Sequence, residues 1–430
     1  MIKTISYPKI DEWTKLQQRP AVDQSSLFEI AEDIFNDVQI NGDFAVSKYS
    51  QQFDGFKYSS SSIELNYITN AECKIPASLK ESIQRAYQNI YKFHASQVEA
   101  IQKIETTMGV TCWRESRPIN KVGIYIPGGS APLFSTVLML GIPAKIAGCK
   151  EVVLCTPPDI NGEVNPLILY AANLAGIQKI YAVGGVQAIA AMALGTESIP
   201  KVDKIFGPGN QYVTAAKQFA QVFGTAIDMP AGPSEVLVIA DDSCDPEFVA
   251  ADLLSQAEHG ADSQVILLSD NKRVIDEVNA ALQEQLEKLS RKEITAKALQ
   301  NSRAILLESI DECIIFSNSY APEHLILAIR NAEEKIEKIQ SAGSVFLGNY
   351  SCESLGDYAS GTNHTLPTNG FARSYSGVSV DSFVKKITFQ SVSEVGLENI
   401  GPSVEMMAEA EQLMAHKNAV TIRLNKIDKQ

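Results

Sequence analysis

The pattern of hydrophobic and polar positions changes at about residue 120. Before that point the chain is predicted to be mainly helical. Gln84–Ile104 has the pattern of a long helix with charges on one side, and Ile90, Phe93 and Val98 are its predicted packing residues. Ser62–Ile68 is a short strand candidate within this region.

Beyond Lys121, short apolar strands alternate with helices in two series. The strands predicted for the first series are Val122–Ile126, Val152–Cys155, Ile180–Val183 and Ile205–Phe206. The helices of that series are Ser135–Ala147, Pro166–Ala175, Gln187–Leu194 and Gln211–Phe223. The strands predicted for the second series are Val236–Ile239, Val265–Leu268, Ile305–Leu307, Leu325–Ile329 and Val345–Leu347. Strands that are separated by one helix pair in parallel, so the pattern predicts an α/β protein with two doubly wound, Rossmann-like units.

The last 50 residues are predicted to form a helix, Ser403–His416, and a terminal strand, Ala419–Leu424. This tail is too small to fold alone, and we expect it to dock elsewhere. The predicted division is therefore an N-terminal arm (1–20), a discontinuous α/β domain (21–120 with 236–380), a second α/β domain (121–235) and a tail domain (381–430).

The composition of the chain excludes some classes of partner. The 430 residues carry a formal net charge of −14, which argues against nucleic acid or an anionic membrane as a partner. Met1–Pro20 lacks the continuous apolar region of an export signal, and Val137–Ile146 is too short to span a bilayer. The seven cysteines are scattered without a paired framework. Together these features predict a cytoplasmic protein that acts on small molecules.

Three glycine-rich segments each follow a predicted strand and precede a helix: Ile126–Ser130, Val183–Val186 and Phe206–Asn210. Glycine lets backbone N–H groups approach an anion, and a helix N-terminus favours negative charge. The three segments therefore favour a phosphate-bearing ligand at the carboxyl ends of the strands, although each could be only a tight turn. There is no G-x-G-x-x-G fingerprint.

Five histidines are available for chemistry, and two of them stand out. His259 follows Gln256 by three positions, so that an amide oxygen and an imidazole can meet on one helix face; a helix C-cap before Gly260 is the alternative. Glu323 and His324 are a plausible acid/base pair just before a strand, or else an exposed turn. His94, by contrast, is interpreted as structural or surface-exposed.

Two further segments offer polar side chains to a site. Asp357 lies in a polar loop that ends at His364, and His416 follows Glu411 by five positions near the end of the tail helix. Oxygen and nitrogen donors from Gln256, His259, Asp357 and one further histidine would make an acceptable zinc site. No spacing rule shows that these side chains meet.

Taken together, these motifs resemble the histidinol dehydrogenase family from about Lys121 to Leu424. The segments that carry the resemblance are Gly123–Leu133, Ile205–Asn210, Asp228–Glu235, Ser255–Gly260, Pro322–His324, Asp357–His364 and Ala415–Ala419. The resemblance implies one zinc ion per subunit, held by the residues at four positions: Gln256, His259, Asp357 and His416. It also implies NAD contacts from Tyr125, Gln187 and Asn210, which puts NAD on the 121–235 domain and the metal and catalytic loops on the other.

Substrate contacts are implied for Ser234, Gln256, His259, His324, Asp357, Glu411 and His416. Family members are homodimers whose tail crosses to the partner, so Glu411 and His416 are expected to complete the other subunit's site. The implied reaction is the four-electron oxidation of L-histidinol through L-histidinal to L-histidine with two NAD, the last steps of histidine biosynthesis. We expect His324 to act as the general base and Glu323 to activate water for the aldehyde step.

Three other functions remain open from the residues alone. A cysteine nucleophile at Cys112, Cys149 or Cys155 could oxidise an aldehyde through a thiohemiacetal, although burial is expected for Cys149 and Cys155. A zinc hydrolase would use the same Glu and His without a dinucleotide. A binding protein of two α/β lobes would need neither.

Overall fold

Two compact units make up the chain in the computed structural model, which describes residues 2–20, 24–58, 62–63, 70–128, 131–230 and 232–428. The larger unit consists of Met1–Gln97 and Ile119–Phe383, and the smaller one of Val98–Pro118 and Val384–Gln430. Within the described residues, no helix combines the length and the apolar character that crossing a membrane requires.

The strands and helices are numbered in chain order. The strands are β1 (Lys3–Ser6), β2 (Lys103–Thr107), β3 (Val110–Pro118), β4 (Lys121–Tyr125), β5 (Glu151–Thr156), β6 (Lys179–Ala182), β7 (Lys204–Phe206), β8 (Ala226–Ile227), β9 (Glu235–Ala240), β10 (Gln264–Ser269), β11 (Arg303–Leu306), β12 (His324–Ala328), β13 (Ser344–Leu347) and β14 (Val384–Val392). The helices are α1 (Ile10–Leu16), α2 (Gln24–Phe53), α3 (Ala77–Ala95), α4 (Phe134–Ala147), α5 (Pro166–Ala175), α6 (Gly185–Leu194), α7 (Gln211–Ala220), α8 (Pro246–Ala257), α9 (Lys272–Leu286), α10 (Lys292–Gln300), α11 (Ile310–Tyr320), α12 (Glu353–Tyr358), α13 (Glu394–Ala410) and α14 (Met414–Ile427).

The larger unit contains two sheets whose strands are all parallel. One has five strands in the order β6-β5-β4-β7-β8, and the other has six in the order β1-β11-β10-β9-β12-β13. The strand order reverses between β4 and β7 in the five-stranded sheet and, among the strands β9 to β13, between β9 and β12 in the six-stranded sheet. The predicted α/β class with two doubly wound units is confirmed.

Both sheets are covered on both faces, which explains why their strands are nearly continuous runs of apolar residues. Along β9, Val236 and Val238 enter the core on one face, whereas Leu237 and Ile239 enter the core on the other. In β5, Leu154 and Val153 divide between the two cores of the five-stranded sheet in the same way.

The smaller unit contains an antiparallel sheet, β14-β3-β2, and the helices α13 and α14. The predicted strand Ala419–Leu424 is wrong, because this segment lies within α14. Val420 and Leu424 are four positions apart, and both approach Gly401 of α13, so they form one face of a helix. The predicted helix Ser403–His416 is helical in most of its range, but it is not continuous, since the chain turns between α13 and α14 at Gln412, whose φ is 60°.

The prediction for the first 120 residues is only partly correct. The long helix ends at Ala95, and the chain then enters the charged, half-exposed strands β2 and β3, which lack a clear apolar alternation. Ile90 is fully buried as predicted, but Phe93 and Val98 are exposed. Instead, His94 packs inside the unit, where its Nδ1 donates to the carbonyl oxygen of Ile90. The predicted strand Ser62–Ile68 lies mostly outside the described residues.

Candidate active site

A cleft of about 1570 Å³ lies within the larger unit and takes its walls from both parallel sheets. Tyr125, Gln187 and Asn210 line it from the five-stranded sheet, and Ser234 and His259 from the six-stranded sheet. Its volume exceeds the roughly 300–1,000 Å³ of most small-ligand sites, so a dinucleotide and a small substrate could share it.

The two sheets present opposite ends of their strands to the site. Tyr125 ends β4, and Asn210 follows β7, so they flank the reversal of strand order at carboxyl ends, where ligands are expected. Glu323 and His324 instead stand at the amino end of β12, beside Glu235 at the amino end of β9. The general tendency of open parallel sheets to bind ligands at their carboxyl ends therefore does not hold for this pair in the six-stranded sheet.

Glu323 and His324 are both held by the first residue of the neighbouring strand. The backbone N–H of Glu235 donates to Glu323 Oε2 (2.8 Å), and His324 Nδ1 donates to the carbonyl oxygen of Glu235 (3.3 Å). The side-chain amide of Gln256 also donates to Glu323 Oε2 (3.1 Å). Because Nδ1 of His324 must carry a proton to bond a carbonyl, its other nitrogen, Nε2, is the one available for proton transfer. That nitrogen lies 3.5 Å from Asp357 Oδ1.

The two residues are buried rather than exposed in a turn, with exposures of 7% for Glu323 and 3% for His324. Glu323 Oε2 lies 3.7 Å from His324 Nδ1, and the two side chains do not hydrogen-bond to each other. This separation fits the expectation of two distinct roles.

The predicted metal ligands of the larger unit gather beside this pair. Donor atoms of His259, Asp357 and Glu353 all lie within 4.8 Å of one another. Gln256 Oε1 and Asp357 Oδ1 are buried and make no hydrogen bond to the described part of the chain. Buried acceptors without partners are rare, and oxygen and nitrogen donors at this spacing suit a divalent cation.

His259 is placed by the end of a helix. The last helical residue of α8 is Ala257, and Glu258 forms the C-cap, so His259 lies just beyond the helix that carries Gln256. Its backbone N–H donates to the carbonyl oxygen of Gln256 (3.3 Å), which keeps the two residues in one turn. His416 and Glu411 belong to the smaller unit, where both are exposed.

Glu353 is a residue of this cluster that the sequence analysis missed. It is the first residue of α12, is 1% exposed, and its Oε2 makes no hydrogen bond to the residues that the structure describes. The sequence did hold a signal, because Glu353 and Asp357 are four positions apart and so share a helix face.

The electrostatics of the cluster favour added positive charge. Burial raises the pKa of Glu323 to about 7 and the pKa of Glu353 well above its usual value. Burial would lower the pKa of His324, but Glu353, Glu323 and Asp357 outweigh it and raise that pKa to about 10. A cation among these carboxylates would favour the neutral imidazole, since it competes with the proton for the same negative charge.

The predicted polar loop from Asp357 to His364 is wrong at its start, because Asp357 lies in α12, and the segment that follows is fastened at its far end. His364 Nδ1 donates to the carbonyl oxygen of Asp357 (2.8 Å), and His364 Nε2 lies 3.0 Å from the hydroxyl of Thr136 in α4. Asn363 donates to His94 Nε2 (3.3 Å), which gives the buried histidine its structural role.

The residues of the five-stranded sheet form the other end of the cleft. The Tyr125 hydroxyl accepts from the backbone N–H of Gly185 (3.0 Å). Gln187 is fully buried, and its Oε1 has no partner among the described residues. Asn210 caps α7 by accepting from two backbone N–H groups, which leaves its amide group free to donate to a ligand.

The loop before Asn210 is held by a buried ion pair. Lys217 Nζ lies 2.5 Å from Asp228 Oδ1 and donates to the carbonyl oxygen of Gly207 (2.8 Å). Asp228 Oδ2 accepts from the N–H of Gly207 (2.8 Å). At φ 127°, Gly207 has a backbone conformation open only to glycine, and a Cβ there would overlap the carbonyl oxygen of Tyr125. The two strand ends thus approach each other closely beneath the cleft.

The sequence profile described as histidinol dehydrogenase matches residues 17–424. The chain belongs to the histidinol dehydrogenase family. The histidinol dehydrogenase of Bacteroides thetaiotaomicron is 57% identical over 425 residues, which cover 99% of each chain. The crystal structure of histidinol dehydrogenase from Elizabethkingia anophelis is 61% identical, covers 99% of both chains and has a TM-score of 0.98. The sequence resemblance is confirmed.

A more distant likeness concerns the fold alone. An acetylating aldehyde dehydrogenase from Geobacillus thermoglucosidasius has a TM-score of 0.50 at 15% identity, over 89% of this chain and 94% of that one. Of the three cysteines considered as nucleophiles, Cys112 lies in β3 of the smaller unit, whereas the cleft lies within the larger one. Burial raises the pKa of Cys155 strongly and that of Cys149 to about 11, so neither thiol readily forms the nucleophilic thiolate.

Glu353 can be tested as part of the cation site. We expect Glu353→Gln to weaken zinc binding by about 10- to 100-fold, since it removes a carboxylate beside the donors of His259 and Asp357. The measurement is a zinc titration against a competing chelator. Glu284→Gln, which removes an exposed charge on α9, is the matched control. Equal zinc affinity in the two variants would show that Glu353 is not part of the site.

Proposed function

We propose that this chain is a zinc- and NAD-dependent histidinol dehydrogenase that oxidises L-histidinol through L-histidinal to L-histidine, in the last steps of histidine biosynthesis. The observation that carries the proposal is the position of the buried Glu323–His324 pair. It lies beside a cluster of cation ligands, and one of these, His259, lines a cleft large enough for a dinucleotide. The relatives named histidinol dehydrogenase supply the substrate.

The donor set fits one zinc ion. Gln256 Oε1, an imidazole nitrogen of His259 and Asp357 Oδ1 would hold it from the larger unit, and His416 would come from a partner subunit. When bound, zinc would fix the substrate's imidazole and amino nitrogens and act as a Lewis acid. The excess of buried carboxylates around one histidine supports this assignment, because buried charges are normally paired or coordinate metals.

The other end of the cleft fits NAD, which would accept the two electrons of each oxidation step. Tyr125, Gln187 and Asn210 offer a hydroxyl, an acceptor and an amide donor at one wall. Gly128 and Gly209 line the cleft in turns where glycine is needed, since a Cβ at Gly128 would crowd Pro157 and one at Gly209 would crowd Val213.

The proton transfers follow from the hydrogen bonds of the catalytic pair. His324 keeps its Nδ1 proton on Glu235 and uses Nε2 to take the proton of the substrate's hydroxyl. Glu323 Oε2 is occupied by Glu235 and Gln256, and its Oε1 makes no hydrogen bond to the described residues. This free oxygen is suited to remove a proton from the water that adds to the aldehyde. His324 then serves as base a second time.

The first experiment is to measure NADH formation from L-histidinol before and after chelation. We expect two NADH per histidinol, activity lost with chelator and activity restored by zinc. This result follows because one site would carry out both oxidations with the same metal. One control contains zinc without enzyme. The other contains enzyme with an excess of chelator that has already been loaded with metal.

No NADH from fully metallated protein would contradict the proposal. A hydrolase that uses the same Glu and His on zinc would then be the better assignment, because it needs no dinucleotide.

The roles of the two catalytic residues can be separated by Glu323→Gln. We expect the oxidation of L-histidinal to fall by about 10²- to 10⁴-fold, the usual contribution of a general base, and the oxidation of L-histidinol to fall far less. Each half-reaction is measured in a single turnover. His324→Asn is the matched control, because loss of that base should impair both. Equal loss of both steps in Glu323→Gln would refute the division of roles.

The contribution of a partner subunit can be tested by mixing inactive variants. We expect His324→Ala and His416→Ala homodimers to be inactive, and their randomly exchanged mixture to regain about a quarter of wild-type activity, since half of its dimers would contain one intact site in two. A mixture without activity, with exchange verified by mass, would place both residues in one subunit's site.

A further inference from the structure

Asp54 is an acidic residue at the end of the cleft that we propose binds NAD. It follows directly after α2 and lines the cleft together with Tyr125 and Gln187. Its carboxylate accepts one hydrogen bond, from Gln187 Nε2 at 3.2 Å. Within the described part of the chain it forms no ion pair, and its pKa is raised by burial alone.

The hydrogen bond from Gln187 fixes the orientation of that amide. Because Nε2 donates to Asp54, Oε1 must point to the opposite side, and it is buried there without a partner. A Cβ at Gly185 would lie 2.7 Å from Oε1, so a side chain at that position would crowd this acceptor. A buried acceptor without a partner calls for a donor from outside the described part of the chain, such as a ligand.

The chemistry of this corner is selective. The Asp54 carboxylate and Gln187 Oε1 only accept hydrogen bonds, and Asp54 also carries negative charge. Such a pair binds neutral donors, such as ribose hydroxyls or the exocyclic amine of adenine, and it disfavours a phosphate monoester through repulsion and unpaired acceptors.

We propose that Asp54 and Gln187 form a recognition corner for neutral hydrogen-bond donors of the nucleoside part of the dinucleotide, with Asp54 as the specificity-determining residue. The inference rests on the proposed use of NAD and deepens it. Asp54 acts in two ways: it accepts from the nucleoside, and it orients the Gln187 amide so that Oε1 is the acceptor left without a partner in the described part of the chain.

A purely structural role for Asp54 makes a different prediction. If its carboxylate only ties the end of α2 to α6, its loss should lower stability and leave the choice between dinucleotides unchanged. The deciding measurement is therefore ligand preference in binding, without turnover.

The test is the Kd of the zinc-loaded protein for NAD, NADP and nicotinamide hypoxanthine dinucleotide, measured by calorimetry. We expect Asp54→Asn to raise the Kd for NAD about tenfold, because a charge-assisted hydrogen bond is replaced by a neutral one. A preference for NAD over NADP that is lost in the variant identifies a ribose 2′-hydroxyl as the donor. A preference for NAD over the hypoxanthine dinucleotide that is lost in the variant identifies the adenine amine as the donor.

Two further variants keep the test decisive. Glu32→Gln removes one exposed charge from the same helix and should leave all three Kd values unchanged. Asp54→Ser provides a second variant if Asp54→Asn unfolds, as judged by the melting curve. If a folded Asp54 variant keeps the wild-type affinity for NAD and both wild-type preferences, this inference is overturned and the proposed function is not. A wild-type protein that binds no NAD would overturn the proposed function with it.

Discussion

The central physical constraint in this structure is the burial of several carboxylates around His324. Glu323, Glu353 and Asp357 enclose His324 in a region shielded from water, where unpaired negative charge is costly. The pKa values of Glu353 and His324 are raised because proton uptake would reduce that cost, and a divalent cation would reduce it as well. The cluster is therefore arranged to receive positive charge, and the acid/base chemistry of the pair is coupled to it.

The arrangement depends on one strand pairing. Because His324 is in register with Val236, the peptide groups of Glu235 can hold the side chains of both Glu323 and His324, one through its N–H and one through its C=O. The carboxylate of Glu235 is itself held by Arg19 and by the N–H of Asn369. The amino ends of two parallel strands thus hold the Glu323–His324 pair, while Tyr125 and Asn210 lie at the carboxyl ends of strands in the other sheet.

The sequence predicted more of the α/β core than of the ends. Runs such as Val236–Ile239 are apolar at every position, because both faces of each sheet are covered. Such runs can be recognised in the sequence without knowing which strands they pair with. β2 and β3 carry charged residues on a half-exposed sheet, so their sequences contain no comparable apolar run. Val420, Ile422 and Leu424 alternate like a strand, yet Val420 and Leu424 also fit a helix face, and only packing on Gly401 decides between the two.

The sequence by itself determined the fold class, the family and the identity of most candidate site residues, because each depends on local patterns and residue types. Only the tertiary structure decided which of them meet. His259, Glu353 and Asp357 come from two segments almost 100 positions apart, and Asp54 reaches Gln187 across more than 130 positions. Such contacts depend on strand order and on how helices pack on the sheets, and local periodicity carries no information about either.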